Sequence, residues 1–203
     1  MIVVVEGPSG AGKSTWTREH GGAHALLEEL PDHSIVPTDE KAAARFWVDR
    51  NVARWQYVLD RERRDGLVVV DTDPFKLHFT WCLYVAGIAP RYEWELARDN
   101  SRAAFARERY GLADLAFVSD LDEATLRARR DADTTRRRHN FERHVRLRDA
   151  LLRWYAAVDS LEPGRVVLGL PDRGISPQLL ALGKRRVWSG VELFDLLIST
   201  LHS

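Results

Sequence analysis

The chain has a single cysteine, Cys82. No intramolecular disulfide can form, which excludes a disulfide-stapled secreted scaffold and fits a reducing cytoplasm. With no second thiol, a cysteine metal motif is excluded as well. Long apolar runs are also missing: none approaches the ~20 residues of a membrane span. Met1–Val5 is too short for a signal peptide and leads straight into a glycine-rich loop. The expectation is therefore a cytoplasmic protein with no membrane partner. Net charge is absent too, because Lys+Arg and Asp+Glu both count 30. The basic excess of a duplex-binding protein is not there, so nucleic acid is not the expected partner. Lysine is scarce, with only Lys13, Lys41, Lys76 and Lys184 against 26 arginines. A lysine at a motif position is thus more informative than an arginine. Repeats, low-complexity tracts and a Pro/Ser-rich linker are all lacking. One domain over residues 1–203 is expected, and that length buries a substantial core without staples.

Apolar segments alternate with helical ones, as in a parallel α/β sheet. Met1–Glu6 reads as a buried strand. Ser14 to about Leu30 reads as a helix broken near Gly21-Gly22. Ser34–Val36 reads as a short second strand ending at Pro37-Thr38-Asp39. Lys41–Arg64 is a long helix with Val48, Val52, Trp55 and Leu59 along one stripe. Leu67–Val70 is a third strand, closed by Asp71. A helix over Arg91–Tyr110, a strand at Leu115–Val118 and a helix over Asp122–Arg130 follow. Phe141–Val158 reads as helix, Arg165–Leu168 as the fifth strand, and Ser176–Gly183 and Gly190–Leu201 as two final helices.

Gly7-Pro8-Ser9-Gly10-Ala11-Gly12-Lys13-Ser14 matches the phosphate-loop pattern G-x-x-x-x-G-K-[ST] at every defined position. It also follows an apolar strand and precedes a helix, as its mechanism requires. Glycines let successive N–H groups point inward as an anion nest, and the helix N-terminus presents its positive end to phosphate. Lys13 is expected at the β- and γ-phosphates, with Ser14 on Mg²⁺ and Thr15 beside it. The cofactors implied are ATP and Mg²⁺.

In open parallel sheets, ligands sit beyond the carboxyl ends of the strands. Carboxylates at those ends are therefore the candidates for two tasks: supporting Mg²⁺, and accepting a proton from an attacking hydroxyl. Asp71 has the strand-then-Asp form of a metal-associated carboxylate. Asp39 is the leading candidate for the base, and Glu40, Asp71 and Asp73 remain open for it. Asp39 would alternatively cap the following helix, since Asp is a favoured N-cap. Leu126–Arg148 is dense in arginine, whose planar guanidinium suits phosphate oxygens. It reads as a lid, with Arg127 on nucleotide and Arg130 in a catalytic role. Among the aromatics, Phe75 and Trp81 close behind Asp71-Thr72-Asp73 are candidates to stack on the acceptor. Glu40 and Asp73 join them as acceptor-binding candidates.

The combination GPSGAGKST, DTD after the third strand, and FVSDLDEATLRARR running into an Arg-rich segment resembles the nucleoside and nucleotide kinase group of P-loop proteins. Within that group it is most similar to the deoxynucleoside and thymidylate kinases. The resemblance covers roughly residues 1–172. It implies a three-layer α/β fold with a five-stranded parallel sheet in the order 2-3-1-4-5, and an Arg-rich helical lid. It implies an acidic base after strand two, matching Asp39 or Glu40, and an adenine-contacting loop at Gly169–Gly174. The Asp-Arg pair that the family carries after strand three is Asp71-Thr72 here, so the arginine is missing. The expected activity is transfer of the γ-phosphate of ATP to a small-molecule acceptor: a nucleoside, a nucleotide or a similar metabolite. An antibiotic hydroxyl phosphotransferase of the same fold and an ATP-binding regulatory ATPase are the alternatives. A homodimer stays open.

Overall fold

The computed structural model describes residues 1–29, 32–133, 140–183 and 190–202. Five strands form one parallel sheet: β1 (Ile2–Glu6), β2 (Ala25–Leu26), β3 (Val68–Asp71), β4 (Leu115–Val118) and β5 (Val166–Leu168). Their order is β2-β3-β1-β4-β5. The central strands β1, β3 and β4 are buried along their whole length. Their sequences show no polar alternation because helices cover both faces of a parallel sheet.

The helices are α1 (Lys13–Gly21), α2 (Glu40–Asp65), α3 (Leu77–Val85), α4 (Arg91–Ala106), α5 (Glu123–Ala132), α6 (Phe141–Arg146), α7 (Arg148–Leu161), α8 (Pro177–Ala181) and α9 (Val191–His202). The period-2 geometry of the strands sorts the core into two layers. Ile2, Val4, Val68, Val70, Ala116 and Val118 pack with Trp55, Trp81, Trp94, Trp154 and Phe194, from α2, α3, α4, α7 and α9. Val3, Val5, Val69, Leu115 and Phe117 pack on the other face with Trp16 of α1 and Leu179 of α8. The expected three-layer fold and strand order are present.

Register places the site. Val5 lies opposite Asp71, and Glu6 opposite Val118. The carboxyl ends of β1, β3 and β4 therefore finish level, and the loops after them emerge side by side.

Two expectations are corrected. The second strand is Ala25–Leu26, not Ser34–Val36. Helix α1 ends at Gly21, and Gly22 follows with φ 52. That turn feeds Ala25-Leu26 straight onto the sheet edge beside Val69-Val70. Gly21 permits the approach, because a Cβ there would lie 3.0 Å from the Ala25 Cβ and 3.2 Å from the Val69 Cβ. Residues 33–35 instead form a 3₁₀ turn capped by Asp32, whose Oδ1 accepts from the Ser34 N–H at 2.8 Å. In addition, the helix expected over Phe141–Val158 is two helices, α6 and α7, meeting at Leu147. Helix α3 after the third strand had no counterpart in the sequence reading.

Phe75 and Trp81, expected against the acceptor, belong to the core. The Phe75 ring centroid lies 5.1 Å from those of Phe105 and Tyr110 and 5.8 Å from that of Trp154. Trp81 packs on Trp154 at 5.8 Å and carries the Arg153 guanidinium over its ring at 5.5 Å. Both are wanted inside because they weld α3, α4, α7 and α9 to one sheet face. Phe75→Ala should therefore cost ~3–5 kcal/mol of stability, the range for emptying a buried aromatic site. Urea unfolding of the two proteins without ligand measures it, and a loss under about 1 kcal/mol would contradict the core placement.

Candidate active site

Strand β1 delivers the phosphate loop, and α1 begins inside it at Lys13. Gly10 and Gly12 sit at φ 93 and φ 92, left-handed conformations that cost glycine no side-chain clash. A Cβ on Gly7 would lie 2.7 Å from the Ser119 Cβ, so only glycine lets the loop leave β1 past the end of β4. The Lys13 ammonium donates to the Gly7 carbonyl at 2.7 Å and the Pro8 carbonyl at 3.2 Å. It thus sits folded over the loop that its motif assigns it to. Ser14 is half-buried on the first turn of α1 and Thr15 is exposed.

Glu6, the last residue of β1, ties this loop to the one after β3. Its Oε1 accepts from the Gly7 N–H at 2.9 Å and its Oε2 from the Asp73 N–H at 3.1 Å. His78 Nε2 approaches the same Oε2 at 3.3 Å. Burial alone would raise the Glu6 pKa, but His78, Lys76 and Lys13 outweigh it and hold the carboxyl far below the usual range. Asp73 is turned inward as a brace. Its Oδ1 accepts from the Phe75 N–H at 2.8 Å and its Oδ2 from the Tyr155 hydroxyl at 3.0 Å. Burial pushes the Asp73 pKa up, with partial relief from His78 and the Phe75 N–H. Its role is to shape the loop, and it does not line the cavity.

A cavity of about 650 Å³ opens from the phosphate loop between α2, α3, α4 and α6. Among its lining carboxylates is Glu28, two residues past the observed β2. Glu28 Oε1 pairs with Lys76 Nζ at 2.9 Å and its Oε2 accepts from the Thr72 hydroxyl at 3.1 Å. Burial raises the Glu28 pKa, but Lys76 and Arg54 outweigh this and leave it lowered. Glu28 is consequently ionised at neutral pH, and its side chain is 33 % exposed, open to a partner. The half-buried rings on the cavity wall are Trp47 and Phe79. The ring of His144 in α6 lies tilted against Phe79, with centroids 5.7 Å apart. Burial, with Lys13, Lys76 and Arg143 nearby, pushes its pKa down to about 4, so it is neutral.

Asp39 does not stand where its candidacy required. It is exposed and caps α2, its Oδ1 accepting from the Ala42 N–H at 2.8 Å. The premise failed because the segment before it is a turn and not the second strand. Glu40 lines the cavity and accepts from the Tyr92 hydroxyl at 2.9 Å. Asp71 ends β3 buried, with the Thr72 hydroxyl 3.4 Å from its Oδ1.

In the Arg-rich segment, Arg127 and Arg130 both reach Glu142 Oε1 at 2.7 Å and so pin α5 to α6. Arg130 also lies over the Phe141 ring at 4.7 Å. The arginine that touches the phosphate loop is Arg129, whose Nη1 donates to the Ala11 carbonyl at 3.1 Å. Leu126, Phe141 and Val145 pack on Ala11 and seat the two helices against the loop. The centre of the expected lid, residues 134–139, lies outside the described residues.

No protein-family model matches the chain, and no curated protein does. Solved structures do match, 47 chains in all. One is the structure of deoxyadenosine kinase from M. mycoides with bound dATP, 13 % identical over 100 % of both chains, with a TM-score of 0.49.

Among the described residues, no group of three His, Cys, Asp or Glu side chains is arranged to hold a metal ion. Ser14 on the first turn of α1 and Asp71 at the end of β3 each offer oxygen. They suit Mg²⁺, which takes oxygen ligands and keeps phosphate and water in its shell. Among the described residues, no helix is long and apolar enough to cross a membrane.

Sequence reasoning missed Glu6, Glu28 and His78, and within the expected lid it did not single out Arg129 or His144. Glu6 carried a signal: a charge ending an unbroken apolar strand directly before the glycine loop.

Glu6→Gln keeps shape but sets an amide N–H against the Asp73 N–H. The variant should lose about 1–3 kcal/mol, the cost of an unsatisfied buried donor. Folding lowers the Glu6 pKa, so its ionised form contributes fully above the ordinary value of about 4.5 and fades as pH falls below it. Stability curves of wild type and variant should therefore converge on acidification from neutral pH. Curves separated by a constant gap from pH 7 to pH 3 would contradict the clamp.

Proposed function

We propose that the chain is an ATP-dependent kinase that transfers the γ-phosphate to a hydroxyl of an uncharged, ring-bearing small molecule, a nucleoside being the leading class. The observation that carries this is Glu28: an ionised, partly exposed carboxylate in a cavity of about 650 Å³ that begins at the phosphate loop. A regulatory ATPase needs no cavity beside its phosphate loop lined by an ionised carboxylate. A phosphorylated acceptor would meet Glu28 as a like charge, and Lys76 is already committed to it at 2.9 Å. That balance favours a hydroxyl over a phosphate. Trp47 and Phe79 provide faces for a flat ring.

The N–H groups of Gly10 and Gly12–Thr15, at the N-terminus of α1, cradle the triphosphate, and Lys13 supplies positive charge there. Ser14 and Asp71 would hold Mg²⁺, which when bound neutralises charge on the phosphate oxygens. Glu28 accepts the proton of the acceptor hydroxyl as its oxygen bonds to phosphorus and the bond to ADP breaks. Arg129 stands at the loop with a guanidinium suited to the spreading charge. Helices α5 and α6, seated on Ala11, exclude water from that side.

An ATP-consumption screen against nucleosides, nucleoside monophosphates and hydroxylated antibiotics tests the reading, with transfer confirmed on the isolated product. Nucleosides should be phosphorylated with Mg²⁺ present, and Lys13→Ala should reduce turnover by orders of magnitude. Transfer to monophosphates alone, or ATP consumption indifferent to every added acceptor, would overturn it.

A further inference from the structure

We infer that Thr72 is a positioning residue whose strained backbone holds its hydroxyl between the two working carboxylates, Glu28 and Asp71, and so aims Glu28 into the acceptor cavity. The inference rests on the kinase reading above for the roles of those carboxylates, but its geometry does not.

Thr72 adopts φ 68, one of two non-glycine residues at positive φ among the described residues. For a β-branched side chain this is a true outlier, kept only where the surroundings over-determine it. They do so here. The Thr72 N–H donates to the Val5 carbonyl at 2.9 Å, which extends the β1–β3 ladder one residue past Asp71. Asp73, next in the chain, is gripped by Glu6 through its N–H at 3.1 Å. Between those two anchors the chain must turn sharply, and glycine would do so without strain. Threonine is there instead, buried to 2 % exposure.

Its hydroxyl accounts for the choice. The Oγ1 lies 3.1 Å from Glu28 Oε2 and 3.4 Å from Asp71 Oδ1. One hydroxyl has one proton, and the shorter contact gives it to Glu28. Glu28 sits on the segment after β2, a strand of only two residues, and its side chain needs support from outside that segment. Two groups supply that support: Lys76 on Oε1 at 2.9 Å and Thr72 on Oε2. Together they leave the carboxylate one orientation. The other charges facing Glu28 are Arg54 from α2, which favours its ionised form, and Glu6 from β1, which opposes it.

The test compares Thr72→Gly and Thr72→Ser with wild type. Glycine is at ease at φ 68, so folding is not at risk. Three quantities are measured: the thermal midpoint, kcat and KM for a nucleoside the wild type phosphorylates, and the Glu28 carboxyl titration midpoint by carbon-13 NMR of the ligand-free protein. Thr72→Gly should hold its thermal midpoint at or above that of wild type, because strain is released. It should also lose about tenfold or more in kcat, the scale of a hydrogen bond to a charged group. Its Glu28 midpoint should move up, since a donor to the ionised form is gone. Thr72→Ser should stay near wild type in kcat and in the Glu28 midpoint. A Glu28 midpoint unchanged in Thr72→Gly overturns the inference, and so does Thr72→Ser behaving like Thr72→Gly. If no acceptor is phosphorylated but the Glu28 midpoint moves in Thr72→Gly alone, the kinase reading fails and the Thr72 link stands.

Discussion

The Glu6 carboxylate is the constraint on which the rest of the site depends. Two loops leave adjacent parallel strands at the same level, and each carries N–H groups that no strand can satisfy. Glu6 answers one from each loop, Gly7 at 2.9 Å and Asp73 at 3.1 Å. A buried carboxylate with two such donors and a nearby histidine is satisfied, whereas an unpaired one would be prohibitively expensive. The phosphate loop and the Asp71-Thr72-Asp73 turn are therefore one rigid body. Asp73 carries the brace outward to Tyr155 of α7, and Tyr110 donates to the Pro74 carbonyl at 2.5 Å. Loop geometry is thus fixed by the same core that Phe75 anchors.

The charge pattern along the cavity follows from this frame. At the loop end stands Lys13, with Arg129 on the Ala11 carbonyl. Further in, Glu28 pairs with Lys76 at 2.9 Å, and His78 Nε2 lies 3.3 Å from the Glu6 carboxylate. His144 stays neutral because burial and three neighbouring cations disfavour its charged form. A cavity so compensated suits an acceptor that brings no charge of its own and offers one proton to give up.

Much of the fold was legible in the sequence. Val-rich strands without alternation announce a parallel sheet covered on both faces, and the glycine loop fixes which strand is first. Gly21-Gly22 was read correctly as a helix break, yet the strand behind it was not seen, because Ala25-Leu26 is only two residues long. A two-residue strand leaves no periodicity to detect, and Ser34-Ile35-Val36 offered a better local pattern. The candidate base after the second strand was therefore sought at Asp39, a residue whose carboxylate caps α2. Phe75 and Trp81 were misplaced for a related reason. Distance along the chain from Asp71 is short for both, but the turn held by Asp73 buries Phe75 and α3 buries Trp81, and composition cannot say which way either side chain points. Of the arginines, only tertiary contact distinguishes Arg129, on the loop, from Arg127 and Arg130, on Glu142.

The central claim is that the carboxylate serving the acceptor is Glu28 and that Asp39 is a cap. The most direct measurement is the transfer rate of Glu28→Gln beside that of Asp39→Asn, with the nucleoside that wild type phosphorylates fastest. Asn is about as good an N-cap as Asp, so Asp39→Asn should fold and transfer phosphate at the wild-type rate. Glu28→Gln should bind ATP normally and lose about 10²–10⁴-fold in transfer, the usual contribution of a positioned base. A fully active Glu28→Gln beside an inactive Asp39→Asn would contradict the account.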